Sequence, residues 1–167
     1  MIPNPLHAAV VHFPIVLMVL MPIVALVALW AIRRGAVPRM AWVVPVATAA
    51  ALTLSSWVAV ETGEREEEKV EAVVAQSALH GHEEAAERFL LLSGVLLVLT
   101  AAGLLGGRAG GIARAGAAVG AFGLVAVGAQ VGHSGGELVY RDGAASAYTS
   151  EAPASATAAG KHGSEDD

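Results

Sequence analysis

No cysteine occurs in the 167 residues. That excludes disulfides, a thioether-attached c-type haem, thiolate-ligated iron–sulfur clusters and any cysteine nucleophile. Charge is the second scarcity. Only 15% of the residues are Asp, Glu, Lys or Arg, against 55% hydrophobic residues and a mean hydropathy of +0.60. Soluble domains usually interleave about 25% charged residues with the apolar ones, whereas here four long stretches carry none. Lysine is confined to Lys69 and Lys161, so no apolar run can form a retinal-type Schiff base. No basic residue precedes the first apolar run, which ends in Arg33-Arg34 and not in a small-residue cleavage site. It is expected to stay as an anchor and not to act as a removable signal.

Other absences narrow the chemistry. Ser55, Ser56 and Ser93 come with no nucleophile–base–orienter set, and the reading is of a non-enzymatic protein. Thr48, Thr53, Thr100 and Gln130 are too few to line a continuous ion path. The GGRAGG stretch at 106–111 lacks the lysine-Ser/Thr of a P-loop and the preceding strand of a dinucleotide fingerprint. No basic surface interleaved with aromatics exists for nucleic acid.

What remains is an all-α integral membrane four-helix bundle. A membrane domain of residues 1–143 is expected, with spans at about 8–32, 40–60, 89–106 and 115–132; each is about the length a helix needs to cross ~30 Å of hydrocarbon. Pro14 falls where a missing N–H matters least and Pro22 is expected to kink span one. Trp42 and Trp57 are assigned to the two interfaces, as aromatic belts prefer. Between spans two and three lies an acidic segment in which Val70, Val73, Val74, Ser77 and Ala78 keep helical spacing, so both spans are expected to continue as an outer helical extension, with the turn at Gly81 or near Ser77. Gly116, Gly120, Gly128, Gly132 and Gly136 stand on one stripe, a spacing that lets a neighbouring backbone or a flat ligand approach; plain helix packing is the more common use. Residues 144–167 are rich in Ala, Ser and Thr, end acidic, and read as a disordered tail.

Orientation follows from the basic residues. Arg33, Arg34 and Arg39 lie in one short connector and Arg108 and Arg114 in the other, while 61–88 holds nine glutamates against three basic residues. Positive-inside then places both termini outside, in the periplasm if the cell has two membranes. All six histidines fall on the outer side. His12 and His133 sit near the outer boundary, and His82 stands about 10 Å above it on a continuing helix. His7, His80 and His162 are read as interfacial side chains. Because imidazole is the usual ligand of b-type haem, the leading expectation is haem b for electron transfer. His12 would be one axial ligand and His82 or His133 the other, with the porphyrin on the Gly128–Gly132 face. Two alternatives stand beside it. One is a structural accessory subunit that packs on larger membrane complexes, or on itself, through its small-residue faces. The other is copper or zinc handling by His12, His82 and His133 with nearby glutamates such as Glu83 and Glu84.

The motifs also carry a resemblance. His7, Val11, His12, Phe13, Pro14 and Ile15 form an H-x-x-x-V-H-F-P-I opening; Thr62-Gly63 begins the acidic segment; His82-Glu83 precedes span three; Gly135, Gly136, Leu138, Val139 and Tyr140 form G-G-x-L-V-Y after span four. Together these resemble the family called domain of unknown function 2231, small bacterial membrane proteins with four predicted spans, over residues 4–145. Many relatives have proline where this chain has Ala8, and a histidine where it has Asp142. Some are joined to Rieske or cytochrome-like domains, and the resemblance therefore implies membrane topology and an association with electron transfer.

Overall fold

The computed structural model describes residues 6–71 and 74–146, with the backbone alone at 68–70. The chain is helical nearly throughout: α1 (Leu6–Val10), α2 (His12–Arg33), α3 (Pro38–Glu71), α4 (Gln76–Ala102) and α5 (Gly107–Tyr140). Leu6–Arg33, Pro38–Glu67, Gln76–Ala102 and Gly107–Tyr140 are each long and apolar enough to cross a membrane. The four long helices close a ring in which α2 packs on α3, α3 on α4, α4 on α5 and α5 on α2. Short connectors make sequential neighbours antiparallel, so five arginines gather at one end and the glutamates and most histidines at the other. The chain is a multi-pass membrane protein.

The core is thin and built from small residues. Met21, Ala25, Ala49, Leu52, Ala117 and Ala121 are almost fully enclosed, while Phe13, Ile23, Val27, Val44, Leu91, Val98 and Val119 project outward. An apolar outside around an alanine-rich inside is what a bilayer demands, since lipid removes the hydrophobic drive between helices and leaves close packing to hold them. Within the bundle, Ser56, Ser93 and Thr100 return their hydroxyls to Leu52, Leu90 and Leu96 of their own helices. No chain of side-chain hydrogen bonds links them across the core.

Local breaks have local causes. Pro14 cannot donate to the carbonyl of Val10, so one bond of the ladder is missing there, while Val11 stays helical at φ −60° and ψ −20° and donates to His7, and α1 runs on into α2. At the arginine end of α2, Gly35 takes φ +101°, and Gly35 and Ala36 donate to Ile32 and Ala31, which closes the helix as a glycine C-cap does. Arg34 lies over Trp30 at 5.2 Å from the ring centre.

Three features differ from expectation. Trp42 is not an interfacial residue: it is fully buried, and its indole N–H donates to Thr100 at 2.9 Å. A Cβ at Gly103 would collide with that indole, so the missing side chain is what lets the tryptophan in; the interface residues are Trp30 and Trp57, 59% and 52% exposed. Of the two turn positions expected, Gly81 lies inside α4, whereas the α3–α4 break falls just before Gln76, beside Ser77 as the other placed it. Helix α5 runs on to Tyr140, so the extension beyond the membrane involves three helices. The expected tail lies outside the described residues from 147 onward, as does His162.

Candidate functional site

Above the bundle, where α3, α4 and α5 rise past the apolar segments, a second small core of Val74, Leu79, Leu138 and Ala144 holds the extensions together. Between this core and the bundle lies a cavity of about 420 Å³, walled by α1, α3, α4 and α5. Its apolar lining includes Ala8, Val60, Leu79, Ala86 and Val139, and its carboxylates are Glu64, Glu66, Glu67, Glu83 and Glu87. Among the described residues no lysine or arginine lines it. Two histidines do: His7 from α1 and His82 from α4.

Both rings are held in the same manner. The Nδ1 of His7 is 2.8 Å from the carbonyl of Ala59 on α3. A carbonyl only accepts, so Nδ1 carries the proton. Thr62 spends its own hydroxyl proton on Val58 or Ala59 of its helix and offers only its oxygen to the same Nδ1, at 3.4 Å. The ring rests on Gly63, where a Cβ would come within 3.2 Å of Cε1. On the other side, His82 Nδ1 is 2.9 Å from Ser134 Oγ of α5. Ser134 Oγ is also 3.0 Å from the Val131 carbonyl; with its proton directed there, its oxygen accepts from His82 and Nδ1 is again protonated. That ring rests on Gly135, with a would-be Cβ 3.1 Å from Cε1. In each imidazole the lone pair is therefore on Nε2, and the tie through Nδ1 is the arrangement seen behind metal-ligating histidines.

The apolar segment of α4 begins beyond Glu87 and Arg88, which leaves His82 and Glu83 outside the membrane-spanning part. Burial, and then the nearby His7, push the His82 imidazole below its usual range. Its neutral form is favoured, as a ligand requires. Glu83 is raised above the usual carboxylate range by burial first, then by the charge of Glu67 and a hydrogen bond with it, with His80 acting in the opposite sense.

The other sequence-predicted residues lie elsewhere. His12 is exposed on the bundle surface, and His133 is 78% exposed with Glu137 at 3.8 Å. Neither lines the cavity with His82. Gly128 is covered by Met18 and Phe89, and Gly132 faces open space, so the two glycines do not form a slot. Gly116 and Gly120 serve packing: a Cβ on them would meet Leu99 and Leu96 of α4. Glu84 pairs with Arg88 on the surface. Among the described residues no three potential metal ligands converge.

His7, set aside from the sequence as interfacial, lines the cavity. The signal lay in the motifs taken together. His7, Thr62-Gly63, His82-Glu83 and the Gly135–Val139 segment come from four separate parts of the chain, and all meet at this one cavity. No curated protein and no solved structure matches the chain. The family model described as a predicted membrane protein (DUF2231) matches residues 3–147, and the chain belongs to that family.

Proposed function

We propose that the protein is a non-enzymatic membrane module that holds a haem b for electron transfer, with His7 and His82 as its two axial ligands. The reading rests on one observation: two imidazoles from different helices line a common cavity, each tied through Nδ1 and each with its Nε2 lone pair free. The alternatives are a bare metal ion and no ligand. Bare copper or zinc normally needs three or four matched protein donors, and that set is absent among the described residues. Haem asks the protein for two. The volume falls within the range of small-molecule sites, and its mixture of apolar wall and few polar groups fits them. With no lysine or arginine among the described lining residues, haem propionates would have to remain in water. Bound there, haem iron supplies one-electron exchange, while the chain's residues orient the imidazoles, exclude water and surround the centre with carboxylates.

We further place the cavity on the outer face of a bacterial inner membrane. The supporting feature is the segregation of Arg33, Arg34, Arg39, Arg108 and Arg114 at the opposite end. A redox partner would then dock from outside.

The test is the absorbance spectrum of the detergent-purified protein, oxidised and dithionite-reduced, after expression with haem supplied. A sharp reduced α-band that disappears in both His7→Ala and His82→Ala, and persists in His12→Ala, is the expected result. A colourless protein would overturn the haem reading in favour of the accessory-subunit one. A colourless protein that binds copper or zinc in a titration would instead favour metal handling.

A further inference from the structure

His7 lies in the first turn of α1, which runs on into α2 through Val11 with one hydrogen bond lost at Pro14, and α1 itself buries none of its side chains. The first N–H groups of a helix have no partner within it. The residue before α1 is Pro5, which has no side-chain acceptor to cap the first turn. The acceptor comes from another helix. Glu66 of α3, 60 residues away, receives the backbone N–H of Leu6 at 2.6 Å and of His7 at 3.2 Å on a single carboxylate oxygen. Glu66 also lines the cavity, one turn from Thr62 and Gly63, on which the His7 ring rests.

We infer that Glu66 is the positioning residue of this site: it caps α1 from outside that helix and so sets the His7 imidazole against Ala59 with Nε2 toward the cavity. This inference rests on the haem reading only for its spectroscopic consequence; the cap itself is a statement about the protein without ligand. Charge and reach can be separated. Glutamine keeps the length and a carbonyl oxygen that accepts, whereas aspartate keeps the charge but stops one methylene short.

The experiment compares full-length wild type, E66Q and E66D in detergent by two readouts. In hydrogen exchange, the N-terminal peptide spanning Leu6 and His7 is expected to stay protected in E66Q and to exchange about tenfold faster in E66D, as a loss of about 1.4 kcal/mol would give. In the haem-loaded protein, E66D is expected to shift from a six-coordinate low-spin to a five-coordinate spectrum held by His82, and E66Q to keep the wild-type form. The inference is overturned if E66D leaves N-terminal exchange unchanged, or if E66Q and not E66D exposes the segment, since charge alone would then be acting. Should the wild type bind no haem, the haem reading fails and the exchange comparison still decides the role of Glu66.

Discussion

His82 shows how one side chain can be assigned a chemical form from its neighbours. With the single Ser134 proton on the Val131 carbonyl, the serine oxygen accepts from Nδ1 and the lone pair goes to Nε2. Replacing Ser134 with alanine removes that orientation. Haem affinity is expected to fall on the order of 10–100-fold, the usual cost of losing a partner behind a metal-ligating histidine, as read from haem titration of the variant. The same imidazole gives a pH signature in the protein without ligand. Its pKa is depressed in the fold, so between that value and the ordinary ~6.5 the unfolded chain binds a proton that the folded chain does not. Stability is full above that range and is lost as pH falls through it. The apparent melting temperature in detergent should therefore drop as pH falls below about 6.5, and drop less in His82→Gln; equal slopes in the two proteins would count against a buried neutral His82. His7 was the harder residue to find. Its spacing from His12 matches no ligand signature, and its importance comes from a carbonyl, Ala59, that no sequence pattern marks.

Helices are where sequence periodicity reads well and side-chain detail does not. The four charge-free runs mark the spans because a membrane admits few other arrangements of backbone. Trp42 could not be placed in the same way. An indole near the end of an apolar run looks like a belt residue, and only Gly103 and the Thr100 carbonyl on a different helix draw it inside. Trp42→Phe should lower stability by about 1 kcal/mol for the lost hydrogen bond; thermal unfolding of the variant measures it. The end of α5 was obscured for a related reason. The segment Ser134-Gly135-Gly136 has low helix propensity, but His82 bonded to Ser134 and seated on Gly135 ties that turn to α4, and the helix continues to Tyr140.

At the scale of the whole molecule the charges divide between two ends. The surface arginines of the acidic end are each matched, Arg65 with Glu61, Arg88 with Glu84 and Arg141 with Glu137. At the other end, Arg114 is buried and donates to the carbonyl of Leu105 just past the end of α4. The absence of native cysteine makes the proposed orientation easy to test. Single cysteines at Glu64, Gly81 or Ala109 can be labelled in intact spheroplasts with a membrane-impermeant maleimide. Reaction at Glu64→Cys and Gly81→Cys but not at Ala109→Cys is expected, and the reverse pattern would turn the protein over and put the cavity inside.

The order of apolar and charged residues along the sequence determined that this protein lives in a bilayer, how many times it crosses, and which ends of its helices share a side. Those properties follow from hydration energies summed over twenty residues at a time, so no single contact can alter them. Which histidines meet was decided by the tertiary structure. A ring of four helices shows each side chain either to lipid or to a neighbour, and a rotation of one residue changes which. His12 and His133 were turned outward by that geometry, while His7 and His82 were brought to one cavity by two glycines, a carbonyl and a serine on other helices.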